Sequence, residues 1–254
     1  PVEQTINKKV YQIKGTKTPD HRPRVIHVNV SLKDILNLSR NEGVSLTIFL
    51  TALYVLSVYQ AEQDKERDIT ISVSIPINLR QFFPSITVRN FFSTTKVTYT
   101  FLEGEEVQLS AICQDLNTQF KETIEKDALE KRLKKLIEYE FNPAARIVLR
   151  PIKDLVLKLV NRMNNRKITV AMSNLGKATL PDVVADYVES VYFYTSVIRP
   201  QFCMISYKNQ LNISFTSPFE ETDIFQYFIR FLSNENLEVT IDSNRITREE
   251  LNRS

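Results

Sequence analysis

Tryptophan is missing from this chain, and glycine and histidine nearly so: 254 residues include four glycines and two histidines. Gly15, Gly43, Gly104 and Gly176 stand far apart. A phosphate-cradling loop needs two or three glycines close together, so neither a P-loop nor a dinucleotide fingerprint is present. His21 and His27 both lie near the N-terminus, and no cysteine cluster accompanies them. Clustered His and Cys zinc chemistry is therefore not expected, and no metal is assigned. Cys113 and Cys203 are far apart and lack metal-like or redox-like neighbours, which makes a reducing compartment, and hence the cytoplasm, the default.

Charge of one sign is also lacking. A net charge of +3 is too small to suggest a polyanion, so no nucleic-acid partner is expected. Long uninterrupted hydrophobic runs are absent as well. The most apolar stretch, Val44 to Tyr59, is broken by Ser45, Thr47, Thr51 and Ser57 and followed by a charged block from Glu62 to Asp68. That reads as a buried core helix rather than a membrane span. No signal peptide opens the chain.

What is present is the composition of a globular protein, 43% hydrophobic and 25% charged, long enough for a full core. Residues 1–23 are polar, with Gly15, Pro19 and Pro23, and read as a linker or edge segment preceding one domain over 24–254. Arg24 to Ser31 alternates as a strand, Leu32 to Arg40 reads as a short helix, and Ser45 is placed to cap a helix running to about Gln60. Ile69 to Leu79 has apolar residues at every odd position and Pro76 among the polar ones, which predicts a strand with an edge or irregularity. Asn90 to Phe101 predicts another strand.

Leu109, Ile112, Leu116, Phe120 and Ile124 recur at helical spacing, as do Leu129, Leu133, Leu136 and Ile137. Pro143 and Pro151 break the chain, and Pro151 can open a helix to about Met163. Strands are then predicted at Val188 to Val197, Gln201 to Tyr207 and Leu211 to Thr216, a helix at Thr222 to Leu232, and a short strand at Leu237 to Ile241. The order implies an α+β domain, a mixed β-sheet covered by helices.

Four groups of residues carry candidate chemistry. In ITVAMSNLG, Ile168 to Gly176, a short strand ends in polar and flexible positions. Ser173 and Asn174 offer a hydroxyl and an amide, and Gly176 permits a turn, a combination that suits an oxyanion or a substrate carbonyl. The ordinary end of a strand accounts for the same residues. Arg146, Arg150, Lys158, Arg162 and Arg166 recur at intervals of four or eight. On a helix they form a basic stripe opposite Ile152, Leu155, Leu159 and Met163, suited to a phosphate, an anionic membrane surface or simply solvent. Arg80 can clamp a carboxylate or fix a sheet end, and Asn90 can place an amide near a ligand or start a strand. His27, on the polar side of its strand, has no Asp or Ser partner nearby in sequence for a general-base role.

Four stretches, in order, resemble the C-terminal half of the alcohol acetyltransferase-like and condensation-domain-like acyltransferases, which share the chloramphenicol acetyltransferase fold. They are SLTIFLTALYVLSVY (Ser45 to Tyr59), ISVSIPINLR (through Arg80), VRNFFSTTKVTY (Val88 to Tyr99, with Arg89 where a glycine is common) and ITVAMSNLGKATLP (through Pro181). The likeness covers most of residues 24–241. It implies a co-substrate, an acyl-CoA or acyl-carrier thioester, with no permanently bound cofactor, and an acyl acceptor bearing a hydroxyl or amine.

The family's base lies in a His-x-x-x-Asp motif of its N-terminal half. Here Val25 follows His21 by four and Ser31 follows His27 by four, so the motif is missing. The family's Asp-Phe-Gly-Trp-Gly motif is missing too. The resemblance therefore implies one lobe of a two-lobe acyltransferase, inactive alone, whose partner is the N-terminal lobe of the same protein. Ser173, Asn174, Gly176, Asn90 and Arg80 would line or support the tunnel between lobes. Arg146, Arg150, Lys158 and Arg162 are candidates for the donor's phosphates. The alternative is a non-catalytic module that binds a partner protein or an anionic lipid surface through the helix near Pro151.

Overall fold

The computed structural model describes residues 9–141, 150–195, 198–246 and 249–250. Its strands are β1 (Arg24–Ser31), β2 (Ile69–Asn78), β3 (Phe92–Phe101), β4 (Val170–Lys177), β5 (Gln201–Tyr207), β6 (Gln210–Ser217) and β7 (Val239–Ser243). Its helices are α1 (Leu32–Asn41), α2 (Leu46–Ala61), α3 (Leu109–Ile124), α4 (Lys126–Phe141), α5 (Arg150–Asn165), the single turn α6 (Asp182–Ala185) and α7 (Asp223–Asn234). The strands form one mixed sheet in the order β3-β2-β4-β5-β6-β1-β7. β2, β4 and β5 run parallel to one another, and the remaining neighbours are antiparallel. This is the α+β arrangement expected.

Alternation along the strands sorts the sheet into two unlike faces. One carries Ile26, Val28 and Val30 of β1, Phe202 and Met204 of β5, and Leu211, Ile213 and Phe215 of β6, all buried. Against it packs α2, buried nearly all round, with α3 and α7 beside it. The Ser45 hydroxyl accepts from the Ile48 amide at the start of α2. Its internal Thr51 and Ser57 hydroxyls donate to carbonyls one turn back, at 2.6 and 2.7 Å, which lets them sit in an apolar core without orphaned donors. Tyr54, Phe202, Phe215 and Phe228 meet there, with ring centroids 4.9 to 6.3 Å apart. Among the described residues no single helix is long and apolar enough to cross a membrane.

The β5–β6 hairpin turns on Lys208 and Asn209, with Lys208 at φ 51°. Pro76 pairs with β3, while the pairing of β2 with β4 covers only Val73–Val170 and Ser74–Ala171. The missing amide therefore faces a side of the strand that has no ladder partner at that level. The polar start of the chain makes two isolated bridges where it is described. Val10 bridges Thr70, filling the slot beside β2 before β4 arrives, and Lys17 bridges Phe219.

Three expectations are corrected. ITVAMSNLG is not a strand exit: β4 continues to Lys177 through a register shift between Asn174 and Lys177, with Gly176 at φ 74° inside the irregularity. Asn90 stands outside β3, which starts at Phe92. Residues 188–195 form no strand, because β5 and β6, over which they run, already have both edges taken. Side chains rising from the sheet take their carbonyls instead: Lys208 Nζ to Val188 O, Asn212 Nδ2 to Val191 O and Gln201 Nε2 to Thr195 O.

Candidate functional site

The C-terminal ends of β2 and β4 form the most suggestive edge of the sheet. Two parallel strands lie side by side for two residues and then part, and crevices at the carboxyl ends of parallel strands are a common home for ligands. At this edge the Asn174 amide makes two defined contacts. Its Oδ1 accepts from the Gly176 amide at 2.7 Å, and its Nδ2 donates to Thr47 Oγ1 in the first turn of α2 at 3.0 Å. Asn174 thus holds the bulge in β4 to the start of the core helix and remains exposed to solvent. Ser173 points to the opposite face, since neighbours along a strand alternate. The two polar groups paired by sequence therefore do not converge.

Arg80 lies at the same edge. Its Nη2 donates to the carbonyls of Thr87 (2.9 Å) and Arg89 (2.7 Å), and its backbone amide is capped by Asn78 Oδ1 at 3.1 Å. It clamps the loop between β2 and β3, the sheet-end role, rather than offering its fork to a carboxylate. Asn90 is exposed on that loop. Around these groups apolar side chains stand in solvent: Ile86 and Val88 fully, Phe92 and Leu175 by more than half.

His27 acquires partners that sequence distance concealed. The antiparallel register sets it between Ser214 of β6 and Asp242 of β7. Its Nδ1 lies 2.8 Å from Ser214 Oγ, and its ring packs on Tyr192 and Tyr194 at 4.6 and 5.5 Å. Cys203 faces Ser214 across β5 and β6, and Ser173 faces Cys203 across β4 and β5. A polar row thus crosses five strands on the face away from the core.

Burial pulls the His27 pKa below the ordinary imidazole value, outweighing the Asp242 carboxylate. Burial likewise raises the Cys203 thiol and pushes Cys113 up to about 12, so both remain unreactive thiols. Ser, His and Asp are the residue types of a nucleophilic triad, but Ser214 is completely buried. None of the described cavities is lined by His27 or His21. The row is a packed polar layer.

The basic stripe divides. Arg146 lies outside the described residues, and Arg150 opens α5. Lys158 and Arg162, with Arg166, line a cavity of about 360 Å³ beside Thr169 and Arg199, at the N-terminal end of β4. The cavity reaches Thr169, just before β4 and about 17 Å from Asn174 at ~3.3 Å per residue, so the donor-phosphate candidates and Asn174 do not share a site. The apolar side of α5 is not covered: Leu155, Leu159 and Met163 each expose more than half of their surface.

Residues 3–219 match the family model for alcohol acetyltransferases. No curated protein matches the sequence. Among solved structures, the trichothecene 15-O-acetyltransferase of Fusarium sporotrichioides is 13% identical, with a TM-score of 0.59 over 88% of this chain and 49% of that one. The epimerization domain from the third module of tyrocidine synthetase B is 12% identical, with a TM-score of 0.54 over 90% of this chain and 52% of that one. These likenesses establish the shared fold, that of the chloramphenicol acetyltransferase-like acyltransferases. The chain spans about half the length of both structures.

Proposed function

Given that this chain belongs to the alcohol acetyltransferase family, we propose that it is one lobe of a thioester-dependent acyltransferase, moving an acyl group from CoA or a carrier protein to a hydroxyl or amine. The observation that carries this reading is the open edge at the ends of β2 and β4. There Asn174 is held in place by Thr47 and by its own bulge, and Ile86, Val88, Phe92 and Leu175 stand uncovered. Apolar groups gathered at one edge mark a surface that something covers. A second lobe, of the size by which the similar structures exceed this chain, is the occupant proposed.

In this reading the acceptor's proton goes to a histidine in the other lobe while the acceptor attacks the thioester carbonyl. The collapsing intermediate expels the thiolate. This lobe supplies the wall, with the anchored Asn174 amide beside the oxyanion and Arg80 holding the neighbouring loop. His27, bonded to Ser214 and packed under Tyr192 and Tyr194, lines none of the described cavities and is not assigned that role.

The test uses a longer chain carrying the sequence encoded upstream of Pro1. Acyl transfer from acetyl-CoA to a panel of alcohols is expected, with free thiol as the readout. Asn174→Ala is expected to lower kcat by about tenfold to a hundredfold, the lower range for loss of one oxyanion contact. A rate unchanged by Asn174→Ala contradicts the placement of the wall.

The exposed Leu155, Leu159 and Met163 beside Lys158 and Arg162 favour one second reading, in which α5 docks on an anionic lipid surface. Sedimentation with anionic vesicles, reversed by salt, supports it. Equal recovery with neutral vesicles removes it.

A further inference from the structure

The cavity at the N-terminal end of β4 has a charge pattern that the fold leaves unexplained. Its walls come from the last turns of α5, the approach to β4, the approach to β5 and the N-terminal segment. Four cations line it, Lys158, Arg162, Arg166 and Arg199, and among the described residues no carboxylate does. Cations at a helix C-terminus complement its dipole, which accounts for the last turn of α5. It does not account for Arg199, which lies on a different segment.

The Arg199 guanidinium is half-buried and, among the described residues, donates to neutral acceptors: Asn165 O at 3.2 Å, Ile168 O at 2.9 Å and Asn165 Oδ1 at 2.7 Å. Those bonds fix its plane without cancelling its charge. Nearby acids are engaged elsewhere. Glu62 and Glu221 belong to the neighbouring cavity that also touches Phe219, and Glu221 accepts from the Thr16 amide at 2.8 and 3.0 Å. On β3, burial first, and then the Lys167 and Arg132 charges, lower the Lys96 pKa. The lining also includes the apolar side chains Ile13, Ile198, Pro200 and Phe219.

We propose that this cavity is an anion site for a small soluble phosphate ester, its phosphate held by Lys158, Arg162, Arg166 and Arg199 and its organic part against Ile198 and Phe219. A fixed guanidinium with Nε and one Nη2 donor left over among the described residues, beside three exposed cations, suits a phosphate. The volume lies at the lower end of the ~300–1,000 Å³ range of small-molecule sites, which admits a ligand of mononucleotide size. Asn174 is about 17 Å from Thr169 along the chain at ~3.3 Å per residue, so the site is separate from the proposed acyl-transfer edge and does not depend on that reading.

Isothermal titration of the chain with pyrophosphate and, separately, with AMP tests the assignment. One saturable site is expected for at least one probe, with Kd of about 1 mM or tighter, weakening as salt is raised. The double charge reversal Lys158→Glu, Arg162→Glu, on two exposed side chains, is expected to weaken binding about tenfold or more, with the urea midpoint confirming an intact fold. AMP binding more tightly than pyrophosphate assigns a nucleotide-like ligand, and equal affinities assign the phosphate alone. Asn174→Ala is expected to change neither titration. No saturable binding by either probe, binding only to phosphoinositide vesicles, or affinity unchanged by the double reversal overturns the proposal.

Discussion

The same strands present two faces that are buried by opposite means. On one, Val28, Phe202 and Phe215 meet α2 and α7 with rings and branched chains, and the hydroxyls of α2 there either bond within the helix, as Thr51 and Ser57 do, or go unpaired among the described residues, as Tyr54 does. On the other, His27, Cys203, Asn212, Ser214 and Thr216 lie under residues 188–195, an irregular segment held by individual side-chain contacts. The difference teaches where stability and adaptability reside. The first face resists change because every methylene is packed, and the second tolerates change because its contacts are polar, separate and individually small.

The largest expected effect lies on the apolar face. Phe228 is fully buried against Tyr54, Phe202 and Phe215, and Phe228→Ala is expected to cost about 3–5 kcal/mol in urea unfolding. On the polar face, Ser214→Ala removes a hydroxyl at 2.8 Å from His27 and is expected to cost only about 1 kcal/mol. Comparable losses at the two positions would erase the contrast.

A third prediction separates the faces by pH. The His27 pKa is lower folded than unfolded, so the unfolded chain takes up the proton first. That contribution is complete above the ordinary imidazole pKa and is lost as pH falls below it. Stability measured from pH 7 to pH 5 should therefore decline, and His27→Gln should flatten the decline. Glu221, held below its usual range by the Thr16 amide, acts in a lower window, its contribution lost as pH falls through and below the ordinary carboxylate pKa. The smallest effect runs the other way. The Tyr54 hydroxyl is buried with no partner among the described residues, so Tyr54→Phe should leave the urea midpoint unchanged or raise stability by up to about 1 kcal/mol.

The apolar face was legible in the sequence and the polar one was not. Period-two alternation in Arg24 to Ser31 and Ile69 to Leu79 places core strands without further information. Ser45 ahead of an apolar run places the start of α2. Nothing local announces that Ser214 and Asp242 flank His27, because that neighbourhood is made by pairing β1 with β6 and β7. The β-rich composition of Val188 to Val197 points to a strand, yet the sheet has no free edge to receive one there. Asn174 was found in the sequence as a polar residue, but its anchoring role depends on Thr47, 127 residues away. Lys158 and Arg162 were visible as a stripe; Arg199, which turns the stripe into a cavity wall, was not, because it reaches α5 through the fold.

The central claim is that these residues build one wall of a cleft whose proton acceptor belongs to another lobe. The most direct measurement is acyl transfer by this chain alone and after addition, in trans, of the polypeptide encoded upstream of it. The account predicts no turnover above background for the chain by itself and turnover once the two halves are combined. Robust turnover by the chain alone, abolished by His27→Ala, would contradict it.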